Sequence, residues 1–137
     1  MDSMLREFCI IILLTVIGIA YSLVGGRSPQ LGTESELEAG EIYLSDAQAL
    51  NAIWVDARAI KEFEESHLPG ALLFDESDWD TELLKLMNIW LIQPRPIVIY
   101  CKSEDCGTSK RIAERLRKSL PEAEIYSLKG GSAGWQE

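Results

Sequence analysis

Histidine occurs once in the 137 residues, at His67, and cysteine three times, at Cys9, Cys101 and Cys106. A single imidazole leaves little material for a histidine-rich metal centre or a separate Ser-His-Asp triad. Cys101 and Cys106 lack a second cysteine pair that would complete a zinc tetrahedron, and three cysteines do not build a disulfide framework. No metal or cofactor is therefore expected. Basic residues are also scarce: 13 Lys and Arg against 22 Asp and Glu give a net charge of −9. Phosphate backbones attract basic surfaces, so nucleic acid is not an expected partner. What remains after the N-terminal run is one domain of about 100 residues, large enough to bury a core without staples.

Long apolar runs are missing too, with one exception. Residues 8–24, FCIIILLTVIGIAYSLV, are 17 residues without a charge. At about 1.5 Å per helical residue they nearly span a hydrocarbon core of about 30 Å. Residues 1–26 therefore read as one transmembrane anchor. The alternative is a cleaved signal peptide, for which Ala20-Tyr21-Ser22 offers a small-x-small site. Cys9 inside the run is expected to be inert. Arg6 and the N-terminal amine flank one side and Arg27 the other, so charge barely selects an orientation. A single-pass membrane protein is expected. A periplasmic or other extracytoplasmic position for the domain is one of two open placements, and the one that favours disulfides. Residues 27–40, RSPQLGTESELEAG, are polar, acidic and punctuated by Gly and Pro, and read as a linker to a domain over 41–137.

Within that domain, Ile42-Tyr43-Leu44 predicts a strand. Ser45-Asp46 signals the start of a helix running to about Asn51. Ile53-Trp54-Val55 is a strand ending at Asp56, and residues 60–66 a helix with Ile60 and Phe63 on one face. Leu68-Pro69-Gly70 is a turn before a short buried strand over residues 71–74. Asp78 or Asp80 is expected to cap a helix over residues 81–92 that turns Leu83, Leu84, Met87, Trp90 and Leu91 inward. Ile97-Val98-Ile99-Tyr100 is continuous, β-branched and bounded by Pro96, the pattern of a central strand buried on both faces. A polar loop, Cys101 to Thr108, leads to an amphipathic helix over residues 109–120 with Ile112, Ala113, Leu116 and Leu120 inward. Residues 124–128 form a last strand, closed by Gly130-Gly131. Five strands alternating with helices predict an α/β fold with a mostly parallel sheet and helices on both faces. Such sheets place their working crevice at the carboxyl ends of the strands.

Cys101 sits at such an end. A loop from a strand to a helix N-terminus aims several backbone N–H groups at one place, and these favour an anion. A thiolate is such an anion, so the position suits an activated nucleophile. A core cysteine finishing a strand is the plainer reading of the same position.

Five stretches in order resemble the rhodanese-like sulfurtransferase family. Val55-Asp56-Ala57-Arg58 is similar to its V-D-x-R strand end. Phe63 and then His67-Leu68-Pro69-Gly70-Ala71 resemble its helix aromatic and H-[IL]-P-G-A turn. Ile97 to Cys101 resembles the strand carrying the active cysteine. Ser109, Ala113 and Leu116 resemble the following helix, and Leu128-Lys129-Gly130-Gly131 with Trp135 the closing L-x-G-G…W. The resemblance implies a rhodanese-like fold and a persulfide mechanism. Cys101 would take sulfane sulfur from a small donor, such as thiosulfate, a polysulfide or a persulfide, and pass it to a thiol acceptor or cyanide. An anion-binding loop of Lys102, Ser103, Glu104, Asp105, Gly107 and Thr108 would cradle the sulfur with its amides. Asp56 and Arg58 would pair and support the loops, and His67 would stabilise its turn.

The loop departs from the family pattern. Cys106 stands where an Arg or Lys is usual, and alignment on Ser109 makes the loop two residues longer. Glu104 and Asp105 oppose an anionic donor, with Lys102 and Lys110 as partial compensation. Cys106 is a candidate resolving or second thiol, or simply a packed one. The related phosphatases and arsenate reductases need C-x5-R, and neither Gly107 nor Ile112 is Arg, which disfavours phosphoryl chemistry. The competing reading is a thiol-redox or non-catalytic binding module that uses the Cys101/Cys106 loop.

Overall fold

Ile97–Tyr100 forms the centre of the sheet. In the computed structural model, which describes residues 7, 10, 12–15, 36–103 and 107–135, all four of its side chains are completely buried. The chain divides into two units, Met1–Ser35 and Glu36–Glu137. In the first, residues 12–15 are helical and Ile12, Leu13 and Leu14 are exposed. The expected anchor over residues 8–24 falls largely outside the described residues. Among those described, no helix is long and apolar enough to cross a membrane.

The second unit runs β1 (Glu41–Ile42), α1 (Leu44–Ala49), β2 (Ile53–Asp56), α2 (Ile60–Glu65), β3 (Leu72–Leu73), a 3-10 turn (Glu76–Asp78), α3 (Trp79–Ile92), β4 (Ile97–Tyr100), α4 (Thr108–Ser119), β5 (Ile125–Leu128) and a closing 3-10 turn (Gly131–Gly134). The sheet order is β1-β5-β4-β2-β3, and every pairing is parallel. Side chains alternate across a strand. Ile97 and Ile99 therefore join a core with Val55, Leu86, Ile112, Ala113 and Leu116 from the helices α3 and α4 and from β2. Val98 and Tyr100 join a second core on the opposite face with Ala47, Leu68, Ala71 and Leu128. The expected α/β fold with helices on both faces is thus observed.

Several local expectations need correcting. The first strand is only Glu41–Ile42, and α1 already begins at Leu44. The Ala47 amide donates to the Tyr43 carbonyl at 2.9 Å, so the helix starts two residues before the expected Asp46 signal. Ile60 is exposed, and only Phe63 of the expected pair packs against the second core. In α3, Leu84 and Leu91 are 61% and 62% exposed, while Glu82 and Leu86 face inward. Asp78 holds the N-cap position of α3, as one of the two expected candidates, but its side chain makes no capping hydrogen bond; Asp75 caps the preceding 3-10 turn, accepting from the Ser77 amide at 2.9 Å. Trp79 fixes the phase of α3. Its ring packs edge-on to Phe74 at 5.1 Å, and the Arg115 guanidinium covers it at 3.8 Å.

Residues 38–40, at the end of the expected linker, are folded against the domain. The Ser127 amide and the Arg117 guanidinium both donate to the Gly40 carbonyl, each at 2.9 Å. Lys110 and Lys129 both grip the nearly buried Glu41, at 2.9 and 3.3 Å.

Candidate active site at the carboxyl ends of β2 and β4

Parallel register sets Asp56 at the end of β2 opposite Tyr100 at the end of β4. Burying a carboxylate is costly unless its oxygens are satisfied. Asp56, with no exposed surface, accepts from the Arg58 amide at 2.9 Å, from Arg58 Nε at 3.0 Å and Nη2 at 2.7 Å, and from the Tyr100 hydroxyl at 2.7 Å. The carboxylate raises the pKa of Arg58, mainly through that hydrogen bond. Burial, and then the bond to Asp56, pushes the Tyr100 hydroxyl far up, so it stays a donor. The network reaches outward. Arg58 Nη2 donates to the Ser66 carbonyl at 2.6 Å, and the Leu68 amide donates to the Tyr100 oxygen at 3.2 Å. Asp56 and Arg58 are therefore paired supports of the turn after α2, as expected. His67 sits on that turn, stacked on Phe63 at 3.9 Å with Nδ1 2.8 Å from the Phe63 carbonyl.

One residue past Tyr100, the chain leaves the sheet at Cys101, which is 3% exposed. Its side chain is disulfide-bonded, and the partner lies outside the described residues. Its carbonyl accepts from the Ser132 amide at 2.8 Å. Gly131 makes this contact feasible. It has φ +65°, and an added Cβ would lie 2.6 Å from the Cys101 oxygen and 2.7 Å from the Ser103 nitrogen. Only glycine combines that backbone with that approach. The closing turn thus forms a floor under the start of the loop.

The loop's other expected residues divide into three groups. Lys102 and Ser103 are exposed, and Lys102 makes a surface pair with Glu62 at 3.6 Å. Glu104, Asp105 and Cys106 lie outside the described residues. Gly107 precedes α4 and Thr108 opens it. The backbone amides at the start of this 12-residue helix are the expected anion-favouring groups. Ser109 is buried, and its hydroxyl accepts from that of Ser127 at 3.1 Å.

Lys110 does not act as the loop's compensating cation. Its ammonium is held by Glu41 at 2.9 Å and Glu38 at 3.1 Å, and these bonds raise its pKa. Arg111 is likewise committed, to Glu76 at 2.7 Å. Beside the site, a cleft of about 270 Å³ opens between Arg58, His67, Tyr100, Ser132 and Trp135. A second, more apolar cavity of about 310 Å³ lies between β3 and α3 and includes none of the described loop residues. Sequence reasoning missed the floor made by Gly131 and Ser132 and the hydroxyl of Tyr100. The Gly130-Gly131 pair was the available signal for the first; nothing local signals the second.

The arrangement offers one sulfur at a strand end, a backbone fixed beneath it and a helix N-terminus beyond it. The fold has a counterpart among solved structures. The BH2092 protein from Bacillus halodurans matches with a TM-score of 0.52 and 21% identity over 66% of each chain. A rhodanese-related protein from Thermoplasma volcanium matches with a TM-score of 0.48 and 18% identity, over 69% of this chain and 88% of that one. The N-terminal domain of a putative ATP/GTP binding protein from Clostridium difficile 630 gives 0.47 and 22%, over 66% and 92%. At 21% identity the likeness to the Bacillus halodurans protein is one of fold. No curated protein matches the chain. The family model for the rhodanese-like domain matches residues 41–137, the whole stretch from β1 through the glycine floor to the C-terminus, and the chain belongs to that family.

Proposed function

We propose that the domain carries sulfane sulfur on Cys101 as a persulfide and passes it to a thiol acceptor or cyanide. The observation that supports this best is the setting of Cys101. Its main chain is clamped by the Ser132 amide, and in sequence it follows the buried strand β4 and precedes α4. A nucleophile so placed can react without moving its backbone, and the amides ahead of it favour an anionic sulfur. The donor in this reading is small: thiosulfate, a polysulfide or a persulfide. Residues 8–24 would hold the domain at a membrane as a single-pass anchor. The exposed apolar side chains of Ile12, Leu13 and Leu14 support that reading.

The test is to reduce the protein, add donor, and measure intact mass. A gain of about 32 Da, one sulfur atom, mapped to Cys101 is expected, and none in Cys101→Ser. No adduct with any of the three donors would end the sulfur-carrying reading and leave the non-catalytic binding module. For the anchor, the full chain should sediment with membranes and a chain lacking residues 1–26 should not. Release of the full chain by high salt alone would refute it.

The redox module has its own support, since Cys101 is disulfide-bonded. In that reading Cys106 is the partner thiol. Mild oxidation of the reduced protein followed by peptide mapping should recover a Cys101–Cys106 link, and intact thiols would exclude it.

A further inference from the structure

We infer that the cleft beside Cys101 is a binding subsite for a small α-amino acid, with the carboxylate on Arg58 and the ammonium on His67. The thiol acceptor of the proposed transfer is then an amino-acid thiol such as cysteine. The acceptor role rests on the sulfur-carrying reading; the binding does not.

Three observations converge. First, the cleft holds an uncommitted donor. Nε and Nη2 of Arg58 are taken by Asp56 and the Ser66 carbonyl. Nη1 has no hydrogen-bond partner among the described residues. It is not buried either, since the described buried side-chain nitrogen left unpaired is Arg95 Nε. Arg58 lines the cleft with 11% of its side chain exposed, so Nη1 offers its N–H groups there. Second, the cleft holds an uncommitted acceptor. His67 Nδ1 lies 2.8 Å from the Phe63 carbonyl and must donate to it, because a carbonyl only accepts. In the neutral ring this makes Nε2 an acceptor, and it has no partner among the described residues. The bond from Arg58 Nη2 to Ser66, the residue before His67, keeps donor and acceptor on one wall.

Third, the wall carries no net charge, because Asp56 offsets Arg58 at 2.7 Å. A bare anion gains little from a pair already neutralised. A zwitterion is neutral as well, and it meets a donor for its carboxylate and an acceptor for its ammonium. Apolar surface for the rest of the ligand comes from Pro69 and from the half-buried Trp135, which packs edge-on to Trp54 at 5.3 Å. The cleft of about 270 Å³ lies just below the range for drug-sized ligands, which suits a small metabolite.

The cleft also adjoins the sulfur-carrying residue. Tyr100 precedes Cys101 in the chain, and the Ser132 amide binds the Cys101 carbonyl at 2.8 Å; both residues line the cleft. The transfer balances. The acceptor thiolate attacks the outer sulfur of Cys101–S–SH. The Sγ–S bond breaks, and its electron pair stays on Sγ as the Cys101 thiolate. The amino-acid persulfide leaves with the outer sulfur and its proton. One thiolate replaces another, with no net oxidation or reduction.

The experiment titrates the full chain, in detergent micelles, with S-methyl-L-cysteine by calorimetry. A thioether cannot exchange with a disulfide, so binding is read apart from transfer. Because Arg58 also holds the turn, its part is tested by changing the ligand. Saturable binding is expected. It should weaken about tenfold for S-methylcysteamine, which lacks the carboxylate, and about tenfold in His67→Phe, the worth of one hydrogen bond to a charged group. No saturable binding to the wild type, or equal affinity in either comparison, would overturn the inference. For the acceptor role, the reduced protein is loaded with thiosulfate and given thiols below saturation. His67→Phe should slow transfer to cysteine about tenfold and leave transfer to 3-mercaptopropionate, which has no ammonium, unchanged. Equal slowing of both would overturn that role. Probe binding without any sulfur uptake by Cys101 would overturn the sulfur-carrying reading and keep the subsite.

Discussion

The carboxyl ends of β2 and β4 are neighbours in register, yet they are held in opposite ways. At the end of β2, the Asp56 side chain is bound by Arg58 and Tyr100, and through them it supports the chain at Ser66 and Leu68. At the end of β4, the backbone carries the restraint. Ser132 binds the Cys101 carbonyl, Gly131 lies close beneath, and the side chain is disulfide-bonded. A side chain used as a strut cannot also react, whereas a clamped main chain leaves its side chain available. Damage to the first end should therefore cost stability, and damage to the second should cost chemistry.

Asp56→Ala tests the first half most severely. It leaves Arg58 and the Tyr100 hydroxyl without their buried partner, and the expected loss is about 3–5 kcal/mol in urea unfolding. A loss within about 0.5 kcal/mol, the range of an ordinary surface change, would dissolve the contrast. Gly131→Ala comes next, at about 1–3 kcal/mol for a left-handed backbone at a non-glycine residue. Because the new methyl group meets Cys101 and Ser103, sulfur uptake should fall further than stability suggests, by about 100-fold for an ångström-scale displacement. Parallel losses in the two proteins' uptake and stability would remove the distinction between strut and clamp.

Cys101→Ser, compared with wild type under reducing conditions, should change stability by about 1 kcal/mol or less while abolishing uptake. The smallest effect is expected from acid. Burial opposes the charge of Glu41, but the Glu38 amide, Lys110 and Lys129 outweigh it and hold its pKa below the ordinary 4.5. The unfolded chain therefore takes up this proton first. Its contribution is complete above about pH 4.5 and is lost as pH falls through the folded value. Glu41→Gln should flatten the wild-type decline in a series of urea titrations below pH 5 without altering uptake at neutral pH. An unchanged slope would remove Glu41 as a joint anchor of α4 and the chain leading to the glycine floor.

Much of this architecture was legible because period and burial agree. β4 is apolar on both faces and is buried on both, and α4 with its C-cap Leu120 turns inward the four residues the spacing selected. In α3 the pattern lacked a phase. Leu83, Leu84, Leu86, Met87, Ile89, Trp90, Leu91 and Ile92 spread apolar side chains around the axis. The contact of Trp79 with Phe74 and Arg115 decides which face is buried. The end of the central strand at Cys101 was legible from its pattern, and the Asp56–Arg58 pair from the resemblance of its motif. The Tyr100 hydroxyl and the glycine floor were not, since each depends on a contact across more than two dozen residues. Lys110 was assigned to the loop by proximity in sequence, but two carboxylates near β1 compete for it.

The pairing of β1 with β5 sets an order on the making of this protein. A ribosome completes β1 first, and that strand has no neighbour until β5, made last, arrives between it and β4. The residues that brace Cys101 come later still, at Gly131 and Ser132. Until those two residues are made, Cys101 lacks the backbone clamp that the finished domain gives it. A product stopped shortly before Gly131 would carry Cys101 and lack the contacts that brace it.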